Sequence, residues 1–407
     1  MIKRVALIGN MNNNFFPITR HLRDRGYDAQ LFYQVGMDHF QPKADTYSLG
    51  YTKYCMEIDW LKNGFHNVDV NKVKEQLSGF DLYIGQGEEA AVAYKCGFNM
   101  DVYYPYGSDV SKYSYLPQGY STKDKILSFL RTYKKNRVHY GQMKEGTMAK
   151  YQRGVIVNAK HLLAERTNDD FLKKLNSLEF KGQLIEVGMP FIYPAEYLEL
   201  LNGLKPDVHW RREIDEMRAE YDFILLYHGR QEWKSFYNEF NGKNTDHLIR
   251  GFAEFLKKNK KNVCLAMLEY GNDVHFSKEL VKELGIERNV KWFPSMYRKD
   301  LMYLINSVDI CSGEFAKSYL TFGTVVEAML LQKPVIHHRQ DDLYKNLFPE
   351  LYPLLNARAS GEIAEAIDFA YHNKQAIHDM GTQAQSWVLK YFIGNALDVL
   401  DDLIKGK

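Results

Sequence analysis

Short apolar runs alternate with helical patterns along the first 190 residues of the chain. Runs of strand length predict β-strands at residues 5–8, 29–32, 81–84, 102–104, 155–157 and 185–187. Apolar positions at helical spacing lie between them, as at Ile18 and Leu22 after Pro17, a residue suited to open a helix. This alternation favours a mostly parallel sheet covered by helices on both faces.

A break in the pattern divides the chain in two. Pro190, Pro194, Gly203 and Pro206 make residues 189–206 a poor element interior and a good linker. The alternation then restarts, with strands predicted at 223–227, 263–268, 290–293, 308–310 and 334–336 and helices at 246–256, 277–284, 298–306 and 325–331. We therefore predict an α/β chain of two Rossmann-like domains that face each other across a cleft.

Composition narrows the class of protein. The 407 residues carry a formal net charge of +2, with 45% hydrophobic and 26% charged residues, which suits two folded domains and excludes a disordered chain. The four cysteines are dispersed without a C-x-x-C pair, as in a reduced, cytoplasmic protein without a zinc site. No run approaches the ~20 apolar residues of a membrane span. The balanced charge and the lack of an RNA-binding motif argue against a nucleic-acid partner.

The loop after the first strand, Gly9-Asn10-Met11-Asn12-Asn13-Asn14, stands where a dinucleotide fingerprint would stand. It is not G-x-G-x-x-G, and no P-loop occurs in the chain, which disfavours nicotinamide dehydrogenases and NTPases. Gly9 and Asn10 are candidate ligand contacts, because asparagine can hydrogen-bond a polyhydroxyl ligand. The alternative is an ordinary turn between a strand and a helix.

Candidate phosphate-binding groups are concentrated in the second half. Arg230 follows the strand at 223–227 and Lys243 precedes the next helix; a guanidinium fork and an ammonium together suit a diphosphate. Thr321, Phe322 and Gly323 lead into a helix whose first amides and dipole favour phosphate. Glu327, one turn further, can accept two hydrogen bonds from a ribose diol. Each of these residues taken alone is more often structural.

Their order along the chain carries a resemblance. The matching segments are Gly229-Arg230, Lys243-x-x-Asp246-x-Leu248-Ile249-x-x-Phe252, Leu284-Gly285-Ile286-x-x-Asn289-Val290-x-Trp292-Phe293 and Phe322-Gly323-x-x-x-Glu327-Ala328-Met329-x-x-x-x-Pro334-Val335-Ile336. Over residues 220–340, this set resembles the donor-binding domain of GT-B glycosyltransferases, most closely glycosyltransferase family 4 (glycosyl transferases group 1).

The resemblance implies transfer of a sugar from a UDP- or GDP-sugar to a saccharide or lipid-linked acceptor in surface glycan synthesis. Transfer in this family usually retains the anomeric configuration and needs neither a metal nor another cofactor. Arg230 and Lys243 would hold the diphosphate and Glu327 the ribose. Residues 1–195 would bind the acceptor and 196–382 the nucleotide sugar, and 383–407 would form a helix that returns to the first domain.

Two departures from the family pattern concern the mechanism. The family commonly has a glutamate eight residues before the ribose glutamate, where this chain has Tyr319; a shifted loop could bring in Glu314 instead. It often has His-Gly where this chain has Tyr106-Gly107, and Asp109 is the substitute candidate for an acceptor contact. These departures leave open a non-catalytic GT-B subunit of a glycosyltransferase complex. A sugar-nucleotide epimerase is a weaker alternative, because its proton-transfer groups cannot be placed.

Residues 131–153 combine Lys and Arg with Tyr133, Tyr140 and Tyr151. Basic and aromatic residues together suit an anionic membrane surface, and the protein would then be peripheral to the membrane. The alternative is a solvated helix face.

The membrane hypothesis predicts that sedimentation with acidic vesicles weakens as salt rises, because exposed charges are screened within about 8–10 Å at physiological ionic strength. Replacing Lys134, Lys135 and Arg137 by Ser should reduce this binding. Unchanged sedimentation of the triple variant would favour the solvated face.

Overall fold

The computed structural model describes residues 3–36, 38–110, 114, 147–165, 169–235, 242–258 and 262–406. The chain forms two compact units: Met1–Tyr193 together with Phe392–Lys407, and Pro194–Tyr391. The sequence analysis predicted domain boundaries between residues 195 and 196 and between residues 382 and 383.

The first unit is built on a seven-stranded sheet. Its strands are β1 (Arg4–Ile8), β2 (Asp28–Gln34), β3 (Cys55–Ile58), β4 (Leu82–Gly85), β5 (Val102–Tyr103), β6 (His161–Ala164) and β7 (Gln183–Glu186). All pairs are parallel, in the order β3-β2-β1-β4-β5-β6-β7. Its helices are α1 (Phe15–Asp24), α2 (Val70–Leu77), α3 (Gly87–Lys95), α4 (Thr147–Val157) and α5 (Asp169–Ser177).

The second unit has a six-stranded parallel sheet in the order β10-β9-β8-β11-β12-β13. Its strands are β8 (Phe223–Tyr227), β9 (Val263–Glu269), β10 (Val290–Pro294), β11 (Ile310–Ser312), β12 (Val335–His337) and β13 (Leu355–Asn356). Its helices are α6 (Pro194–Tyr197), α7 (Arg211–Glu220), α8 (Thr245–Lys258), α9 (Val274–Glu283), α10 (Arg298–Asn306), α11 (Gly323–Leu330), α12 (Ser360–His372) and α13 (Lys374–Trp387).

Burial explains why these segments form central strands. Every residue of β8 is buried, as expected for a parallel strand covered by helices on both faces. Ile8, Phe32 and Val92 belong to the core of the first unit, and Leu225 and Phe252 to that of the second. The predicted α/β architecture of two Rossmann-like sheets is confirmed.

Two predicted elements differ in detail. Residues 155–157 were predicted as a strand, but they end α4, and the strand follows at β6. A three-residue apolar run fits a buried helix face equally well, and Val155 and Ile156 are fully buried on it. Gly154 lets α4 approach α3 closely, since a Cβ there would lie 2.5 Å from Cε1 of Tyr94.

The terminal segment is also interrupted. Instead of one helix over 383–404, α13 ends at Trp387, a π-helical stretch follows over Val388–Gly394, and α14 covers Asn395–Lys405. This last helix packs on α1 in the first unit. Arg25 donates 2.8 Å to Asp398 Oδ1, and the Tyr27 hydroxyl donates 2.5 Å to Asp401 Oδ1.

Within the described ranges, no helix combines the length and the apolar character needed to span a membrane.

The contact between α13 and the end of α11 predicts a steep effect of one methyl group. A Cβ at Gly381 would lie 1.9 Å from the Gln332 carbonyl oxygen, so Gly381→Ala should lower the free energy of unfolding by about 1–3 kcal/mol despite alanine's better helix propensity. Urea unfolding measures the effect. Gly361→Ala on α12 is the matched control, because its Cβ would meet only Glu254 Oε2 at 3.9 Å. Equal stability of the two variants would contradict the packing argument.

Candidate functional site

The candidate site lies where the strand order of the second sheet reverses. The chain leaves β8 toward β9 on one side and returns on the other side in β11, which pairs with β8 through Tyr227 and Ser312. Ligands of such sheets bind in the crevice at the carboxyl ends of the strands at this reversal. His228 to Arg230 follow β8, and Gly313 and Glu314 follow β11, so these residues lie at this edge.

Arg230 is held in a turn just beyond β8. The buried Tyr227 hydroxyl donates to the Arg230 carbonyl at 3.0 Å and lies 3.0 Å from Thr245 Oγ1 at the start of α8. The Arg230 side chain is 48% exposed, and its guanidinium lies 3.4 Å from the carboxylate of Glu232, which is buried. The turn is therefore rigid at its backbone, while the guanidinium remains accessible to a ligand.

Lys243 is placed beside Glu314 by two backbone hydrogen bonds. Its amide donates to the Glu232 carbonyl at 2.6 Å, and its carbonyl accepts from the Phe315 amide at 3.2 Å. The Lys243 Nζ lies 2.5 Å from Glu314 Oε1, and the two side chains are only 17% and 12% exposed. Arg230, Glu232, Lys243 and Glu314 together form what we call the charged cluster.

The environment of Glu314 opposes its ionisation. Burial raises the pKa of Glu314, and the positive charges of Lys243 and Arg230 offset only part of that increase. The negative charge of Glu232 adds to it. Glu314 is therefore a carboxylate whose charge depends on its cationic neighbours.

Glu327 is held by two further side chains. Arg298 Nε donates to Glu327 Oε1 at 3.0 Å, and His228 Nε2 lies 3.3 Å from Glu327 Oε2. Burial raises the pKa of Glu327, but the close His228 imidazole and the charge of Arg298 outweigh burial and hold it below its ordinary value. A carboxylate has about four lone-pair sites, so Glu327 keeps acceptor capacity for a diol.

The start of α11 offers hydrogen-bond donors. The Val325 and Val326 amides both donate to the Phe322 carbonyl, whereas helix geometry leaves those of Gly323 and Thr324 without an intrahelical acceptor. The buried hydroxyl of Thr324 has no hydrogen-bond partner within the described part of the chain. The neighbouring Thr321 is itself buried.

Tyr319 stands beside this helix start. Its ring lies 5.1 Å from that of Phe322, whose ring in turn lies 5.8 Å from the Lys243 ammonium. Two tyrosines that lie outside the loop from β11 to α11 hold its backbone in place. The Tyr344 hydroxyl donates to the Ser318 carbonyl at 2.8 Å, and the Tyr352 hydroxyl donates to the Leu320 carbonyl at 2.5 Å. The structure thus brings Glu314 against Lys243 and Tyr319 against Phe322.

Gly9 and Asn10 belong to the first unit, and both stabilise the loop between β1 and α1. Gly9 has φ +92, and a Cβ on it would lie 2.5 Å from the Gln86 carbonyl oxygen. The Asn10 carboxamide oxygen accepts from the Phe15 and Phe16 amides at 3.0 and 3.1 Å, and its NH₂ donates to Asn13. The Asn10 side chain therefore ties the loop to the first two amides of α1, and a ligand contact of Gly9 and Asn10 stays a prediction.

The role assigned to Asp109 needs correction. Its side chain is fully buried, and its two oxygens accept from the Tyr103 hydroxyl at 2.8 Å and from the Gly107 and Val110 amides at 3.0 Å each. A carboxylate used in this way fixes the loop after β5 and is not exposed at the surface. Burial raises the pKa of Asp109, consistent with its position in the interior.

Sequence reasoning missed three residues of the site: His228, Arg298 and Thr324. His228 precedes the Gly-Arg pair at the end of β8, and Arg298 opens the helix after β10. Their position just after parallel strands was the available signal, because such residues meet at one edge of the sheet. Nothing in the sequence pattern showed that both would contact Glu327.

The structure does not test the predicted independence from metals, and it describes only part of the basic stretch. Among the described residues, no group of three His, Cys, Asp or Glu side chains could hold a metal ion, and the predicted independence from metals stays a prediction. Of the basic stretch 131–153, residues 131–146 lie outside the described residues.

Comparison with solved structures shows the same fold over the whole chain. The sucrose-phosphate synthase of Thermosynechococcus elongatus is 14% identical with a TM-score of 0.57, and Anabaena HepE in complex with UDP-glucose is 15% identical with a TM-score of 0.58; both comparisons cover 100% of each chain. WaaG, a glycosyltransferase involved in lipopolysaccharide biosynthesis, is 16% identical with a TM-score of 0.54 and covers 99% of this chain and 100% of WaaG.

The match found by sequence comparison covers a smaller part of the chain than the structural matches do. No curated protein matches the chain. A family model described as glycosyl transferases group 1 matches residues 229–387, which contain the whole charged cluster and Glu327. The resemblance predicted from the sequence is thus confirmed: residues 229–387 match glycosyl transferases group 1, and the chain has the fold of the GT-B glycosyltransferases.

Proposed function

We propose that the protein is a glycosyltransferase that moves a sugar from a UDP- or GDP-sugar to a saccharide or lipid-linked acceptor, with retention, in surface glycan synthesis. The observation that carries the proposal is the convergence of Arg230, Lys243 and the start of α11 on the carboxyl edge of the second sheet. Two cations and the amides of a helix start form a site for a diphosphate.

The chemistry of the leaving group favours this arrangement. A diphosphate gains negative charge as its bond to the sugar breaks, so cations fixed around it stabilise the transition state more than the ground state. The half-exposed Arg230 and the more buried Lys243 approach from two different loops. Their charge is therefore already in position when the bond breaks.

The nucleotide would extend from the diphosphate toward Glu327. Glu327 would accept hydrogen bonds from the ribose hydroxyls, and Arg298 and His228 would hold it ionised and oriented. The Thr324 hydroxyl is a further donor at this place. HepE has been solved with UDP and with UDP-glucose, which makes uridine nucleotides the first to test.

Release of nucleotide from UDP- and GDP-sugars by the purified protein, without acceptor, tests the proposed activity. A thermal-shift screen with the same nucleotides tests binding, since a ligand at 100 times its dissociation constant adds ~2.7 kcal/mol of stability. Binding without turnover of any donor, with or without saccharide acceptors, would favour the non-catalytic subunit instead.

The proposed diphosphate site predicts a large loss of turnover in two variants. Arg230→Ala and Lys243→Ala should each reduce it about ten- to a hundredfold, because charge-assisted hydrogen bonds are worth ~1.5–3 kcal/mol. Nucleotide release per folded molecule measures the effect. Lys278→Ala is the matched control: its ammonium pairs with Glu269 on the surface of the same unit. A lowered melting temperature with unchanged turnover and donor affinity in Arg230→Ala would make Arg230 a structural residue.

Glu327→Gln should weaken UDP binding more than it slows turnover, because the ribose is remote from the breaking bond. It should also destabilise the fold by about 3–5 kcal/mol at neutral pH, since it leaves Arg298 buried with a neutral partner. The pKa of Glu327 lies below its ordinary value of 4.5, so this stabilisation is present above pH 4.5 and is lost as the pH falls through the folded-state pKa. Urea unfolding at several pH values measures it; a difference between variant and wild type that persisted at low pH would contradict the assigned charge of Glu327.

A further inference from the structure

The charged cluster contains two carboxylates that the proposed diphosphate site does not use. Lys243 pairs with Glu314, and Arg230 lies beside Glu232. A diphosphate that binds these cations brings its own negative charge to the same place. The diphosphate therefore competes with both carboxylates for the same two cations.

We propose that a diphosphate takes Lys243 from Glu314, and that Glu314 binds a proton from solvent in the same step. Glu314 then remains beside the diphosphate as a neutral carboxyl group able to donate a hydrogen bond to it. No covalent bond of the donor changes; one proton moves from solvent to one Glu314 oxygen. This inference rests on the proposed diphosphate site and adds a positioning residue to it.

The geometry selects Glu314 rather than Glu232. Lys243 and Glu314 are both largely withdrawn from water, with 17% and 12% of their side chains exposed, so solvent screens their interaction weakly. The Arg230 side chain is 48% exposed and stands 3.4 Å from Glu232, so solvent screens this longer pair more strongly even though Glu232 itself is buried. The closer and more enclosed pair of Lys243 and Glu314 is therefore the one that a bound diphosphate perturbs most.

Within the described part of the chain, several ionisable groups interact with the Glu314 carboxylate. Lys243, before α8, and Arg230, after β8, are the cations that keep Glu314 ionised, and a bound diphosphate would neutralise both. Glu232 and the Tyr227 hydroxyl of β8 are close enough to interact with it electrostatically. On the side of β12, the His338 amide donates to the Glu314 backbone carbonyl at 3.1 Å, a contact that does not involve the Glu314 side chain. Burial already raises the pKa of Glu314, and the diphosphate raises it further.

Proton uptake by Glu314 makes the affinity for the diphosphate depend on pH. A group whose pKa is higher in the complex takes up a proton on binding, so affinity falls as the pH rises between the unbound and the bound pKa, by at most about tenfold per pH unit. The terminal phosphate of UDP has the opposite effect, since its pKa is ~6 and its ionised form binds better. At pH 7.5 UDP is almost fully ionised, and a proton taken up there belongs to the protein.

Titration calorimetry of the full chain with UDP at pH 7.5, in two buffers of different ionisation enthalpy, measures the protons taken up. Wild type should take up a substantial fraction of one proton per UDP bound, and Glu314→Gln should take up almost none. Glu232→Gln is the matched control and should keep the uptake. A thermal melt of each variant verifies that it is folded, and the wild-type measurement stands even if Glu314→Gln does not fold.

The outcomes separate this inference from the proposed function. Binding of UDP without proton uptake in wild type, or uptake unchanged in folded Glu314→Gln, overturns the role of Glu314 and leaves the diphosphate site intact. Loss of the uptake in Glu232→Gln alone assigns the proton to Glu232 and also overturns it. If UDP, GDP and inorganic pyrophosphate all fail to bind wild type, the diphosphate site and this inference fall together.

Discussion

The reversal of strand order beside β8 is the constraint on which the site depends. Because β9 and β11 lie on opposite sides of β8, the loops that follow β8 and β11 diverge and leave a crevice at the sheet edge. Arg230 comes from the first loop and Glu314 from the second, while the chain that enters α8 supplies Lys243. Each charged group thus comes from a separate segment, and the sheet fixes the distances between them.

A second consequence is that the site contains charge of both signs before any ligand binds. Two uncompensated cations in a partly buried crevice would repel each other and be costly to desolvate. Glu232 and Glu314 reduce this cost, and Glu327 does the same for Arg298. The same carboxylates must yield when an anion arrives, so the stability of the empty site and its affinity for a diphosphate oppose each other.

How far the sequence could predict this depended on the range of the interaction. The α10 boundaries, Arg298–Asn306, followed from local periodicity and matched the structure. Residues 155–157 were misassigned because three apolar residues fit a strand or a buried helix face, and only the contact with α3 decides between them. Asp109 was assigned a functional role because the sequence does not show that its carboxylate is buried against Tyr103. That contact exists only in the folded chain. The pairing of His228 and Arg298 with Glu327 joins residues about 30 to 100 positions apart, which no local pattern encodes.

The discontinuity of the first unit has a consequence for synthesis. Its last helix, α14, is separated from the rest of that unit by the roughly 200 residues of the second, which is continuous in sequence. About 370 residues separate α1 from α14, so at about 5–20 residues per second the ribosome delivers α14 some twenty to seventy-five seconds after the surface of α1 that it covers. The second unit can fold during that interval, whereas the first unit must wait with the apolar face around α1 uncovered. Chaperone binding during translation therefore has a natural target on the first unit.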